Sequence, residues 1–420
     1  MTVAETTVFE TLESNVRGYC RAWPTVFDTA RGCWLTDENG KEYLDFFAGA
    51  GSLNYGHNNP VLKQALIDYL VGDGITHGLD MSTVAKRRLL ETIRDVLLIP
   101  RGMEYKVQFP GPTGANAVEA ALKLARKITG RTAVLNFTNA FHGMTLGALS
   151  VTGNAAKRAG AGVPLIHATP MPYDGYLEGV DDFSWMRRTL DDSSSGIDKP
   201  AAVIVETVQG EGGVNVARAE WLRALADMCA ARGILLIVDD VQMGCGRTGP
   251  FFSFEVAGIQ PDIITLSKSI GGYGLPMALV LMKPELDQWT PGEHNGTFRG
   301  NNAAFITGEV ALREYWTGAG MEAATLAKGE HIRTHLTAMT ETFSGTSTRG
   351  RGMVHGLVFD DASQAAKVSS IAFELGLLVE TSGSNDEVVK LLPPLVATED
   401  ELTHGLGLLT RAVEIVRDAH

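Results

Sequence analysis

Two stretches decide the fold: Ile234-Leu235-Leu236-Ile237-Val238-Asp239-Asp240 and Ile263-Ile264-Thr265-Leu266-Ser267-Lys268-Ser269-Ile270-Gly271-Gly272. Each is a short run of mostly branched apolar residues that ends on polar or charged ones. Such runs do not alternate with polar residues, so they predict strands covered on both faces, as in a parallel sheet. On either side, Val107-Gln108-Phe109, Ala133 to Phe137, Ala202 to Glu206 and Ala278 to Met282 have the same character. Amphipathic stretches lie between them. Asn116 to Ile128 puts Val118, Ala121, Leu122, Ala125 and Ile128 on one helical face. Glu119 and Lys123 are expected to pair on the other, four residues apart. Arg218 to Arg232 predicts a second helix, stopped by Gly233, with Leu222, Leu225 and Cys229 on its apolar face. The pattern is α/β: a mostly parallel central sheet with helices on both faces.

The ends differ. Gly32 to Asp45 predicts a hairpin with a two-residue turn at Asn39-Gly40. Residues after about 305 give a long helix and then an α+β pattern. The expected division is a large α/β domain over 61–304 and a smaller α+β domain built from 1–60 and 305–420. A chain of 420 residues favours two domains over one.

Hydrophobic residues at 45% and charged residues at 20% describe an ordinary globular protein. The net charge of −13, with no run of five or more basic residues, argues against a nucleic-acid partner. Met1-Thr2-Val3-Ala4-Glu5-Thr6 lacks the basic and apolar regions of a signal peptide. No apolar stretch approaches the roughly 18 residues of a membrane helix. A cytoplasmic enzyme without a membrane partner is expected. Cys20, Cys33, Cys229 and Cys245 form no C-x-x-C pair and have no histidine cluster beside them, so no metal site is expected. Cys245 is expected to be a small buried residue.

Lys268 and Asp239 would both stand at carboxyl ends of buried strands, where ligands bind in such sheets. That pair suits pyridoxal phosphate. The amine forms a Schiff base with the cofactor aldehyde, and the carboxylate keeps the pyridine nitrogen protonated so that the ring accepts electrons. Other stretches support a cofactor pocket. Phe109-Pro110-Gly111-Pro112-Thr113-Gly114-Ala115-Asn116 leads from a strand into a helix, whose N-terminus presents N–H groups and positive dipole to a phosphate. Thr113, Gly114 and Ala115 form the cup, although the plain reading of Thr113 is a helix cap. Phe141, in Ala140-Phe141-His142-Gly143, can stack on a ring, although a lone phenylalanine after a strand is ordinarily core. Glu206 and Glu211 bracket a Gly-rich loop, either as pocket residues or as a solvated face. Val241 would pack on the ring, and Gln242 would donate to its oxygen.

These residues resemble a known family. Asp239-Asp240-Val241-Gln242, Gly246-Arg247-Thr248-Gly249 and Lys268 are similar to the signature of class III pyridoxal phosphate aminotransferases. Thr113-Gly114-Ala115, Phe141-His142-Gly143, Glu206 with Glu211, and Thr297 fit the same family. Phe46 to Pro60 and Pro291 to Asn302 resemble its diaminobutyrate branch, which serves ectoine biosynthesis. The resemblance implies the aspartate aminotransferase fold (fold type I), amino and oxo acids as substrates, and at least a homodimer. It implies that Lys268 carries the cofactor and then acts as acid and base, while Asp239 holds the pyridinium. Gln242 addresses the ring hydroxyl, and Phe141 and Val241 sandwich the ring, with His142 beside them. Thr113, Gly114 and Ala115 hold the phosphate, joined by Thr297 from the neighbouring subunit.

The sequence also departs from the family pattern. Asn116 stands where a glutamate is common, and Met144 where some relatives have a carboxylate-binding arginine. Lys390, in Val389-Lys390-Leu391-Leu392-Pro393-Pro394, stands where ornithine-type relatives place the arginine that binds the α-carboxylate of glutamate. Lysine offers no bidentate fork. The residue matched by Glu211 masks that arginine in the other half-reaction, so Glu211 with Lys390 is the expected switch. The substrate residues expected are Glu206, Glu211, Trp23 and Lys390, with Arg21 near Trp23 as a further cation. The resemblance implies transamination of the terminal carbon of a short amino-acid semialdehyde by glutamate. The alternatives are an ω-aminotransferase for ornithine, acetylornithine or 4-aminobutyrate, an aminomutase, and a non-catalytic cofactor-binding protein.

Overall fold

Seven strands form the central sheet of the computed structural model, which describes residues 7–177 and 183–418. Met1-Thr2-Val3-Ala4-Glu5-Thr6 lies outside the described residues. The strand order is Lys106–Gln108, Leu279–Met282, Ile263–Leu266, Leu235–Asp239, Ala202–Val205, Val134–Phe137 and Ala168–Met171. Only Leu279–Met282 runs against its neighbours, so the sheet is mostly parallel, as expected. Ala168–Met171 escapes the apolar-run signal. It carries Pro170 and is partly exposed, which suits an edge strand.

The unbroken apolar runs have the predicted cause. Val203, Val205, Leu236, Val238, Ile264 and Leu266 face one buried cluster. Their neighbours Ala202, Ile204, Ile237 and Ile263 face a second one, under the helix Gly114–Thr129. The helix Ala219–Arg232 ends at Gly233 in the left-handed conformation, with Leu222, Leu225 and Cys229 buried. The expected Glu119–Lys123 pair does not form. Lys123 Nζ donates 2.8 Å to the Glu293 carbonyl, and Glu119 Oε1 accepts from Ala148 N at 3.1 Å and from Thr145 Oγ1. Tertiary acceptors outweigh a surface pair that contributes only a few tenths of a kcal/mol, roughly 0.3–0.5.

Both chain ends share one small sheet. Phe27–Arg31, Trp34–Asp37 and Glu42–Asp45 form a meander, and Leu377–Leu378 pairs in parallel with Leu44–Asp45. The hairpin at Asn39-Gly40 has three loop residues rather than two. Asp37 N donates to the Lys41 carbonyl, Asp37 Oδ1 accepts from the amides of Asn39 and Lys41, and Gly40 takes φ 81°. The aspartate side chain thus holds a wider turn. A second sheet runs Thr346–Arg351, Val354–Phe359, Val388–Leu391, Glu380–Ser382.

Arg247 joins these parts. It is fully buried and donates to the Met353 carbonyl at 3.0 Å, to the Pro393 carbonyl and to Asn54 Oδ1 at 2.5 Å. One guanidinium thereby ties the Gly-rich loop after Asp239 to an N-terminal and two C-terminal segments. Cys245 beside it is buried, as expected.

Candidate active site

The carboxyl ends of the parallel strands surround a cavity of about 160 Å³ lined by Gly114, Phe141, His142, Gly143, Glu206, Glu211, Asp239, Val241, Gln242, Met243 and Lys268. Lys268 opens the turn that follows Ile263–Leu266, with φ 54°. A lysine in the left-handed region is strained, and such strain persists where surrounding contacts fix it. Its Nζ donates to the Ala50 carbonyl at 2.7 Å. Burial pushes the Lys268 amine down to about 8, against the opposing charge of Glu211. Much more of it is therefore neutral and nucleophilic near pH 7 than for a surface lysine.

Asp239 ends the neighbouring strand, in register with Thr265. Its Oδ2 lies 2.6 Å from His142 Nδ1, and its Oδ1 accepts from Val241 N and Thr265 Oγ1, both at 3.1 Å. Burial opposes the charged form of His142. The hydrogen bond and charge of Asp239 outweigh it and raise the imidazole above its usual value. His142 therefore positions the carboxylate. Glu206 Oε2 accepts from Phe141 N at 2.9 Å, and burial raises Glu206 to about 7.

A charged triad stands next to this cavity. Lys390 Nζ lies 2.7 Å from Glu211 Oε1 and 3.0 Å from Glu380 Oε1. Burial alone would raise Glu211, but Lys390 and Lys268 outweigh it and hold it near 2. Burial alone would lower Lys390, but the two carboxylates hold it above the lysine range. Gln242 Nε2 donates to the Ala50 carbonyl at 3.0 Å and to Glu211 Oε1 at 3.3 Å. The expected Glu211–Lys390 contact is thus present. Glu380 was not foreseen, and it arrives only because its strand pairs Glu380 directly with Lys390.

Other expected residues sit differently. Thr113 is the N-cap of Gly114–Thr129 and forms a capping box with Asn116, which gives Asn116 a role. Thr297 is exposed in a short turn and does not line the cavity of its own chain. Trp23 is buried in a cluster with Tyr43, Phe373 and Leu378, outside the cavity lining. The ring nearer the triad is Tyr19, whose hydroxyl meets Glu380; burial and that charge raise its pKa. Arg21 is turned away, its guanidinium bonded to the carbonyls of Arg17 and Asn15. Lys157 was also missed: its Nζ lies 4.2 Å from the Phe141 ring centroid and 3.9 Å from Glu211 Oε2.

Residues 19–413 match the family Aminotransferase class-III. The chain belongs to the class-III aminotransferases. It is 75% identical over 417 residues to the diaminobutyrate–2-oxoglutarate transaminase of Nocardia farcinica, covering 99% of this chain and 96% of that one. The enzyme of that name from Streptomyces coelicolor is 66% identical, over 98% and 99% of the two chains. Among solved structures, an ornithine aminotransferase from Toxoplasma gondii, with pyridoxal phosphate partly occupying its active site, superposes with a TM-score of 0.84. It is 25% identical and covers 99% of this chain and 94% of that one. A transaminase from a marine Virgibacillus superposes at 0.87 with 19% identity, covering 99% of both chains, and so shares the fold.

The cofactor of this class-III aminotransferase is pyridoxal phosphate, and the site fits it. An amine and a histidine-bound carboxylate open on one cavity, as an aldehyde and a pyridine nitrogen require. A Cβ on Gly114 would lie 2.8 Å from Val241 Cγ1, so only glycine keeps the helix start this close to the cavity wall.

Proposed function

We propose that this chain transfers the α-amine of glutamate to the terminal carbon of aspartate 4-semialdehyde, giving L-2,4-diaminobutyrate and 2-oxoglutarate, the step that serves ectoine biosynthesis. The observation that carries this reading is 75% identity, across 99% of the chain, to a diaminobutyrate–2-oxoglutarate transaminase. Pyridoxal phosphate supplies the electron sink for the carbon that loses its proton.

The chain's own residues do the rest. Lys268 Nζ, neutral in part because of burial, takes the proton from the reacting carbon and returns one. Asp239 holds a proton at the ring nitrogen, oriented by His142 Nδ1. Phe141 and Val241, which line the cavity, would flank the ring, and Gln242 would address its hydroxyl. Thr113, Gly114 and Ala115, at the start of the helix Gly114–Thr129, would hold the phosphate, and Thr297 would reach the phosphate held by a second copy of the chain. A homodimer with shared sites follows, and Thr297's exposed place away from its own cavity supports it. No helix among the described residues is long and apolar enough to cross a membrane, which suits a cytoplasmic enzyme. Pairing of Leu377–Leu378 with Leu44–Asp45 supports a small domain drawn from 1–60 and 305–420 beside a large one over 61–304.

Incubating the holoenzyme with 2,4-diaminobutyrate and 2-oxoglutarate is expected to yield glutamate. Faster turnover of ornithine, acetylornithine or 4-aminobutyrate would overturn the assignment.

A further inference from the structure

Both amino substrates of the proposed reaction carry a carboxylate three bonds from the reacting carbon. In glutamate it is the side-chain carboxylate, counted from Cα. In 2,4-diaminobutyrate it is the α-carboxylate, counted from the terminal carbon. One fixed cation can therefore serve both. A second cavity of about 220 Å³ shares Phe141 and Glu211 with the first, and Asn139, Asn154, Lys157 and Ser384 supply its other polar side chains. Two lysines line the two cavities among the described residues, Lys268 and Lys157.

Lys268 is committed to the cofactor. Lys390 stands outside both linings, fully buried and paired with two carboxylates. Lys157 differs from both. Its side chain is 36% exposed, and its Nζ lies beyond hydrogen-bond distance of Glu211, at 3.9 Å. The Nζ rests 4.2 Å over the Phe141 ring, and Asn154 Oδ1 caps the Lys157 amide at 3.0 Å. A pair that long and that exposed contributes little, so a substrate carboxylate displaces it at small cost.

We infer that Lys157 is the specificity residue that binds the remote carboxylate of the substrate in both half-reactions, with the second cavity receiving that end of the molecule. This rests on the proposed diaminobutyrate reaction. It also supplies the cation missing at Met144, from a different element of the chain.

The test compares holoenzyme carrying Lys157→Met or Lys157→Arg with the unaltered chain. Half-reactions are followed by cofactor absorbance with glutamate against 2-aminobutyrate, and 2,4-diaminobutyrate against 1,3-diaminopropane. The second of each pair lacks the remote carboxylate. Lys157→Met is expected to cut kcat/KM about ten- to a hundredfold for the carboxylates only, and Lys157→Arg to restore most of it. Calorimetric binding of glutarate, which cannot react, is expected to weaken in parallel. Equal losses on the decarboxylated pair would mean that Lys157 merely supports Phe141, and no loss on any substrate would also overturn the assignment. If the unaltered chain ignores diaminobutyrate while Lys157→Met still selectively loses glutamate, the substrate reading falls and the lysine assignment stands.

Discussion

Lys390 and Glu380 are direct cross-strand partners, with Nζ 3.0 Å from Glu380 Oε1 while Glu211 Oε1 approaches the same nitrogen to 2.7 Å. The lysine is fully buried, so each carboxylate depends on it for compensation. Lys390→Met leaves two carboxylates facing each other, and is expected to destabilise the fold by about 3–5 kcal/mol. Urea unfolding midpoints of the two proteins measure this; a loss under about 1 kcal/mol would show that water replaces the cation.

The same triad gives a pH prediction. Glu211 is held near 2 against an ordinary value of 4.5, so its ionised form favours the folded state. That stability is fully present above pH 4.5 and is lost as the pH falls through about 2. Glu211→Gln should therefore flatten the acid limb of the stability profile in that window. Identical acid limbs would remove Glu211 from the account.

Glu211 lines both cavities and Lys390 pairs with it from outside their linings, so in the proposed switch Glu211 sets whether substrate meets that lysine. With Glu211→Ala, the glutamate half-reaction should be kept, because Lys390 is left with Glu380 as its one carboxylate partner and can take the substrate's. The diaminobutyrate half-reaction should slow by about tenfold or more, because the carboxylate between Lys390 and the cavity is gone. Single-turnover rates with each donor decide it, and equal slowing in both would end the switch idea.

The depressed amine of Lys268 should be visible before any catalysis. Covalent uptake of cofactor by the cofactor-free protein is expected to accelerate as pH rises through about 8, where the amine loses its proton. An inflection nearer 10.5, the ordinary lysine value, would contradict the burial effect. Lys268→Ala should retain no borohydride-fixed cofactor; if reduction still attaches it, another lysine holds the aldehyde.

Arg247 is a structural counterpart to these charges. Burial pushes it down to about 9, yet its three acceptors, Met353 O, Pro393 O and Asn54 Oδ1, depend on it. Arg247→Met orphans all of them, at about 1–3 kcal/mol each. Arg247→Lys should rescue little, since lysine has no planar fork to span them. Thermal midpoints of both variants test this, and full rescue by lysine would show that charge alone suffices.

The sheet was legible because its strands are buried on both faces, so Ile234 to Asp239 and Ile263 to Leu266 betray themselves by composition. Asp239 and Lys268 followed from standing at strand ends. The helix Gly114–Thr129 was legible from its apolar face, whereas the partners of Glu119 and Lys123 were set by distant loops. Glu380, Tyr19 and Lys157 were not foreseen. Each reaches the site by long-range packing, and a register slip of one residue would send Glu380 to the opposite face. Sequence spacing carries no trace of such register.

The Ala50 carbonyl receives two donors, Lys268 Nζ at 2.7 Å and Gln242 Nε2 at 3.0 Å. A carbonyl oxygen has two lone pairs, so it can lose one donor and stay satisfied. A lysine that turns to the cofactor would leave this carbonyl with the Gln242 amide as its donor. The turn over residues 48–51 would then be spared an orphaned acceptor, so docking and release of the amine need not reshape that part of the pocket wall.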